Sequence, residues 1–301
     1  MRRAPALSLC VFALAASAGP ALAHAGHAAE GPGWFEDPWA TAMLAVSGGP
    51  YAVGTVRLWG RAGAGRGIAR WRAACFAAGW LSLALTLCSP VAGWSERLFV
   101  AHMIEHELMM TLAAPLLVIG RPLIGMLWAF PRRGRHAVAA FFGAGPLLRL
   151  WNALTEPLTA TVLHGAALWA WHAPSLFALA LENPFWHAVQ HLSFFGTAVM
   201  FWWSLAKSRA YGASVFWLFA TSLHSGFLGI LIALARAPWY PGQGEASAQF
   251  GLSPLEDQQL AGLVMWVPAG VVYAGAALVA MGLWIHRSSR TAGGRHVPLA
   301  S

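Results

Sequence analysis

The chain has 301 residues, of which 58% are hydrophobic and only 10% charged, with a formal net charge of +8 and a mean hydropathy of +0.56. A soluble globular protein carries about 25% charged residues, so this chain cannot cover a water-facing surface, and it has far too little polar sequence for disorder. The positive excess is arginine in short stretches between apolar runs, which reads as membrane topology and not as nucleic-acid binding.

Residues 1–23 carry Arg2 and Arg3, an apolar stretch from Leu7 to Ala18, and Ala21-Leu22-Ala23. A positive n-region, a short h-region and an A-x-A pattern predict a signal peptide cleaved after Ala23. A dozen apolar residues rising about 1.5 Å each span only about 18 Å of a hydrocarbon core of about 30 Å, which argues against an uncleaved anchor. Cys10 follows Leu9 and not a small residue, which argues against a lipoprotein signal. The mature chain then begins at His24, and residues 24–38 form a periplasmic N-terminal segment. There His24-Ala-Gly-His27 would offer an amino group and two imidazoles to Cu(II), or form no more than a short tail.

Seven further apolar segments are long enough to span a bilayer, at 39–59, 73–92, 98–119, 157–175, 185–206, 212–235 and 259–285. The fold class is therefore all-α: a polytopic membrane bundle of seven transmembrane helices in one domain, residues 39–286, with a cytoplasmic tail at 287–301. Gly48, Gly49 and Pro50 interrupt the first span, as membrane helices tolerate where neighbours satisfy the backbone. The segment 120–130, bounded by Pro122 and Pro131, is too short to span and is placed at the inner interface. With the mature N-terminus outside, only Arg97 and Arg236 of the mature chain's basic residues fall on the outer side. That bias places the protein in a membrane, surrounded by lipid, with its mature N-terminus outside and its C-terminus inside. Cys75 and Cys88 lie about 20 Å apart along one helix and cannot bridge. No CxxC or CxxCH occurs, which excludes a thiol-exchange motif and covalently attached c-type haem.

Chemistry must then come from polar residues inside the spans, since such groups are costly in a bilayer and seldom kept without a role. The third span reads Ala101-His102-Met103-Ile104-Glu105-His106-Glu107-Leu108-Met109. His102 and His106 share a face, with Glu105 and Met109 within about 60° of it at 100° per residue. The fifth span repeats the spacing in His187 and His191. The fourth places His172 near the same outer layer, and the seventh begins with Glu256-Asp257-Gln258-Gln259. Two i,i+4 histidine pairs in matching layers point to a metal site, with His102, His106, His187 and His191 as principal ligands and His172, Glu105, Met109 and Asp257 as further candidates. Asp257 would equally suit a helix start. Glu107 points off this stripe and reads as an interfacial carboxylate. Met103 and Met110 read as packing, and His164 and His224 as helix-to-helix hydrogen bonds.

Imidazoles with an optional thioether, without thiolates and facing an oxidising compartment, fit copper best. Zinc stays open if Glu105 or Asp257 coordinates. Haem held between His106 and His191 is the main competitor, but two imidazoles about 6 Å apart on one face suit a compact ion better.

Several pieces together resemble the polytopic CtaG-type cytochrome c oxidase assembly factors of caa-type oxidases. They are His102-Met103-x-x-His106 running into Ala114-Pro115-Leu116-Leu117-Val118-x-Gly120-x-Pro122, then Trp169-x-Trp171-His172-x-Pro174. They continue with His187-x-x-x-His191-Leu192-Ser193-Phe194, Phe201-Trp202-Trp203, and Asp257-Gln258-Gln259-x-Ala261-Gly262-x-x-Met265-Trp266-x-Pro268. The resemblance covers most of residues 98–285 and implies a seven-helix inner-membrane protein, non-enzymatic, that helps to mature a haem-copper oxidase and delivers copper to one of its subunits. Acidic residues on both sides of His106 depart from the family pattern. The alternatives are a b-type haem or quinone-linked redox protein, and a metal-free scaffold for an oxidase subunit. Delivery further leads us to expect an open, partly solvated site.

Overall fold

The computed structural model describes residues 38–95, 97–143, 145–208, 210–240 and 246–293. The expected signal peptide, the stretch with His24 and His27, Arg209, and the end of the chain with Arg295 lie outside the described residues. Within them the chain is helical, with no strand. The helices are α1 (Pro38–Ala62), α2 (Arg70–Cys88), α3 (Pro90–Ser95), α4 (Phe99–Glu107) and, through a π-helical turn at Leu108–Ala113, α5 (Ala114–Ile119). There follow α6 (Pro122–Trp128), α7 (Arg132–Gly143), α8 (Gly145–Leu154), α9 (Pro157–Trp171), α10 (Pro174–Glu182), α11 (Pro184–Lys207), α12 (Tyr211–Ala233) and α13 (Pro254–Gly293). Proline opens seven of these helices (α1, α3, α6, α9, α10, α11 and α13), where its missing N–H costs nothing and its fixed φ suits the first turn.

Four helices are long and apolar enough to cross a membrane: α2, the continuous run Phe99–Ile119, α12, and Pro254–Ser289 of α13. A fifth arises if α7 and α8, bent by 64°, make one span. The expectation of seven is thus met only in part. The expected first, fourth and fifth spans are helices, but α9 stops after 15 residues, about 22 Å, ahead of Pro174. The helices α1 and α11 have the length, at 25 and 24 residues, but are diluted by Ser47-Gly48-Gly49-Pro50 and by His187, Gln190, His191 and Ser193. The α7–α8 segment was expected to be an inner connection.

One hydrophobic core joins α4, α9, α10, α11, α12 and α13 around Phe99, Leu168, Phe177, Phe194, Phe201 and Met265. A separate cluster of Tyr51, Leu58, Ile68 and Phe76 joins α1 and α2, with α6 against it. The helices α12 and α13 lie backbone to backbone. A Cβ on Gly229 would come within 2.9 Å of Gly262 O, and one on Gly262 would collide with the backbone of Ala233, the close approach that small residues permit in membranes. Cys75 and Cys88 are free, as their spacing requires.

The third span owes its shape to Pro115. Without an N–H, Pro115 cannot bond the carbonyl of Thr111, and the backbone ahead of it adopts π register, in which Ala114 N–H bonds Met109 O. The tryptophan Trp202 on α11 donates from Nε1 to Met110 O at 2.9 Å, satisfying a carbonyl within this turn. At the far end, Tyr51 Oη donates to Gly120 O at 2.8 Å and Arg72 Nη1 to Ile119 O at 2.9 Å. Arg121 takes the left-handed conformation, φ 55°, and leads into Pro122. The Pro115 and Gly120-x-Pro122 pattern therefore fixes both the register and the end of the helix that carries His102 and His106.

Candidate metal site

The site depends on where α4 begins. Asp257, wholly buried, accepts from Phe99 N–H at 2.8 Å and from Val100 N–H at 2.9 Å. These are orphan donors of the first turn of α4, so a carboxylate from α13 caps the helix that bears the histidines. The two glutamines beside it complete a clamp. Gln258 Oε1 accepts from Trp239 N–H at 2.6 Å, and Gln259 Nε2 donates to Ala235 O at 3.0 Å. Asp257 is thus a cap and not a first choice of ligand, because both its oxygens already hold backbone N–H groups. It begins α13 as expected, but the helix it caps is another one.

With α4 so placed, the two histidine pairs meet. Ring centroids are 4.2 Å apart within His102–His106 and 4.2 Å within His187–His191. Between helices, His102 stacks over His187 at 5.9 Å and His106 meets His191 edge-on at 5.1 Å. The convergence of two i,i+4 pairs, expected from spacing, is therefore present. The expected openness is not. His102 and His106 are each 1% exposed, while His187 and His191 are half-buried. Phe177 packs against His102, and Phe194 against both His106 and His172. Phe99, Phe177 and Tyr240 form a contiguous aromatic group beside them. The Tyr240 hydroxyl donates to His172 O at 2.9 Å.

Hydrogen bonding separates these imidazoles. The backbone of Ser95 lies beside the His102 ring, while Nε2 is buried without a partner. Neither ring nitrogen of His106 has a partner, and His191 Nε2 has none. His172 donates from Nδ1 to Leu168 O at 2.7 Å, and its Nε2 lies 3.5 Å from Met103 Sδ. Buried polar groups are ordinarily paired, and each orphan costs about 1 to 3 kcal/mol. Several gathered at one place make it the candidate site. The donor set fits a metal in kind and in spacing, since two imidazoles on one tetrahedral ion with bonds of about 2.0 Å place their centroids on the order of 5 Å apart. Among the described residues, though, no group of three or more His, Cys, Asp or Glu side chains stands in metal-holding geometry. The four rings stand in mutual contact, and the χ2 torsion of an imidazole is broad.

The other candidates fall out differently. Glu105 is buried on the same helix as the pair. Met109 packs with Leu44, Leu83 and Cys88. It lies within the π turn, where the 100° extrapolation that put it on the histidine stripe no longer holds. Glu107 is buried, with Oε2 unpartnered, and Tyr273 lies within electrostatic reach; the interfacial carboxylate expected from sequence is instead inside the bundle. His164 hydrogen-bonds Thr197 at 3.0 Å, as expected, but its Nε2 and both nitrogens of His224 lack partners. Ser95, Met103 and Phe177 were not foreseen at the site.

A family model for the cytochrome c oxidase caa3 assembly factor matches residues 49–287. The chain belongs to this family. No curated protein and no solved structure matches it significantly. The match runs from the first described helix through α13, so the assembly factor's histidine cluster, its Asp257 clamp and the Pro115 turn all lie within it.

Proposed function

We propose that this assembly factor captures copper at the periplasmic side of a bacterial inner membrane and passes it to a haem-copper oxidase subunit, as a carrier and not as an enzyme. The reading takes α1, α9 and α11 as the first, fourth and fifth of seven spans, with the mature N-terminus periplasmic and the C-terminus cytoplasmic. The observation that carries it is His106: a buried imidazole with both nitrogens unpartnered, in ring contact with His102 and His191. Such a side chain is costly unless an ion repays it.

Copper here is cargo. His102 Nε2, His106, His187 and His191 would hold it, with His172 at the edge. The backbone of Ser95 beside His102 would help to hold its ring, in the manner of outer-shell partners in metal sites. His106, tied to nothing, can turn with the ion as ligands exchange one at a time. The half-buried His187 and His191 mark the side from which a receiving subunit would approach. The same spacing supports a compact ion over haem, whose axial imidazoles stand on opposite faces of a macrocycle. Zinc is opposed by Asp257's engagement as a cap.

Metal analysis of detergent-purified protein tests this. About one copper per chain is expected, lost when His106→Ala and His191→Ala are combined. Absence of copper from the wild-type protein, or equal copper in the double variant, would overturn the reading.

A further inference from the structure

Met103 follows His102 directly and is 2% exposed. Its sulfur lies 3.5 Å from His172 Nε2, and the tautomer of His172 can be settled from its other side. Nδ1 stands 2.7 Å from the carbonyl oxygen of Leu168, which can only accept. Nδ1 therefore carries the proton of the neutral ring, and Nε2 presents a lone pair. A thioether has no proton to give. Two lone-pair atoms thus face each other inside the protein with no hydrogen between them, an arrangement that packing alone does not favour and a cation does.

The dimensions fit an ion. With metal–nitrogen and metal–sulfur bonds of about 2.0 and 2.3 Å, a separation of 3.5 Å subtends about 109° at the metal, the tetrahedral angle. The backbone around His172 is held, since its N–H bonds Leu168 O at 3.2 Å and its carbonyl accepts from Tyr240. His172 also lies within electrostatic reach of His102 and His106.

We propose that Met103 Sδ and His172 Nε2 form a thioether–imidazole seat that makes this site selective for Cu(I). The inference rests on the copper reading above and adds to it a ligand and an oxidation state. Thioether sulfur is soft and favours Cu(I) over Zn(II) or Cu(II). The seat binds the monovalent ion, and no electron transfer is required of the protein.

The test is X-ray absorption at the copper edge on full-length protein in detergent, loaded with Cu(I) under anaerobic conditions, alongside competition with a chromogenic Cu(I) chelator. The wild-type spectrum should contain one sulfur scatterer together with nitrogens. Met103→Leu, close in volume and shape, should lose the sulfur, keep nitrogens and bind Cu(I) at least about tenfold more weakly. Met109→Leu should change neither. A wild-type spectrum of nitrogens alone, or a sulfur that survives Met103→Leu, overturns the seat and leaves copper handling standing. Failure of the wild-type protein to bind any copper overturns both. The wild-type spectrum decides the point even if a variant misfolds.

Discussion

The molecule holds two groups of buried histidines, and they differ in how their lone pairs are used. In the group expected in the outer layer, His172 spends one nitrogen on a backbone oxygen and sets the other beside Met103 Sδ, His102 leaves Nε2 unpartnered, and His106 spends neither nitrogen. In the second group, His164 gives Nδ1 to Thr197, whose hydroxyl itself donates to Ser193 O at 2.7 Å. His224 packs against Gly165, the neighbour of His164. The first group gathers imidazoles from α4, from α11 and from His172 just past the end of α9, and the second gathers one each from α9 and α12. Burial alone does not single out a candidate metal site; here the mutual ring contact of four imidazoles from two helices does.

The largest effect that would break this comparison is on copper content. Combining His164→Ala with His224→Ala should leave bound copper unchanged, whereas the outer double variant should remove it, both read by metal analysis. Equal loss in the two would erase the distinction. Next comes Asp257→Ala, which strips two N–H groups at the start of α4 of their acceptor. It should lower stability by about 2 to 4 kcal/mol in a denaturant titration and weaken copper binding, although Asp257 is proposed to touch no metal. A smaller and opposite change is expected of His106→Leu. In metal-free protein it replaces an unpartnered imidazole by an apolar group and should raise stability by about 1 to 3 kcal/mol, while abolishing oxidase maturation in cells. The smallest is Thr197→Val, which removes the acceptor of His164 and should cost about 1 kcal/mol with copper binding intact.

The histidine pairs were legible because four-residue spacing on a helix needs no tertiary knowledge, and membrane cost narrows what such a pair is for. Met109 was misplaced because Pro115, six residues on, shifts the backbone into π register, and a uniform helical angle cannot register that. Met103 was passed over because the atom that gives it meaning, His172 Nε2, lies 69 positions away. Asp257 was recognised as important in kind but not in role, since backbone N–H groups as partners leave no trace in side-chain identity. Helix positions were largely legible from hydropathy; the number of spans was not, because α9 is short and α11 carries the site's own polar residues. A segment that does chemistry in a bilayer is bound to look less like a span.

The bond between Asp257 and Phe99 joins positions 158 apart in the chain. A polypeptide emerges N-terminus first, so His102 and His106 enter the bilayer long before the carboxylate that seats their helix has been made. The proposed copper seat would therefore come into being only when the last helix has docked, and a half-made or truncated chain would hold its histidines out of register. Completeness of synthesis is in this way written into the placement of the buried histidines.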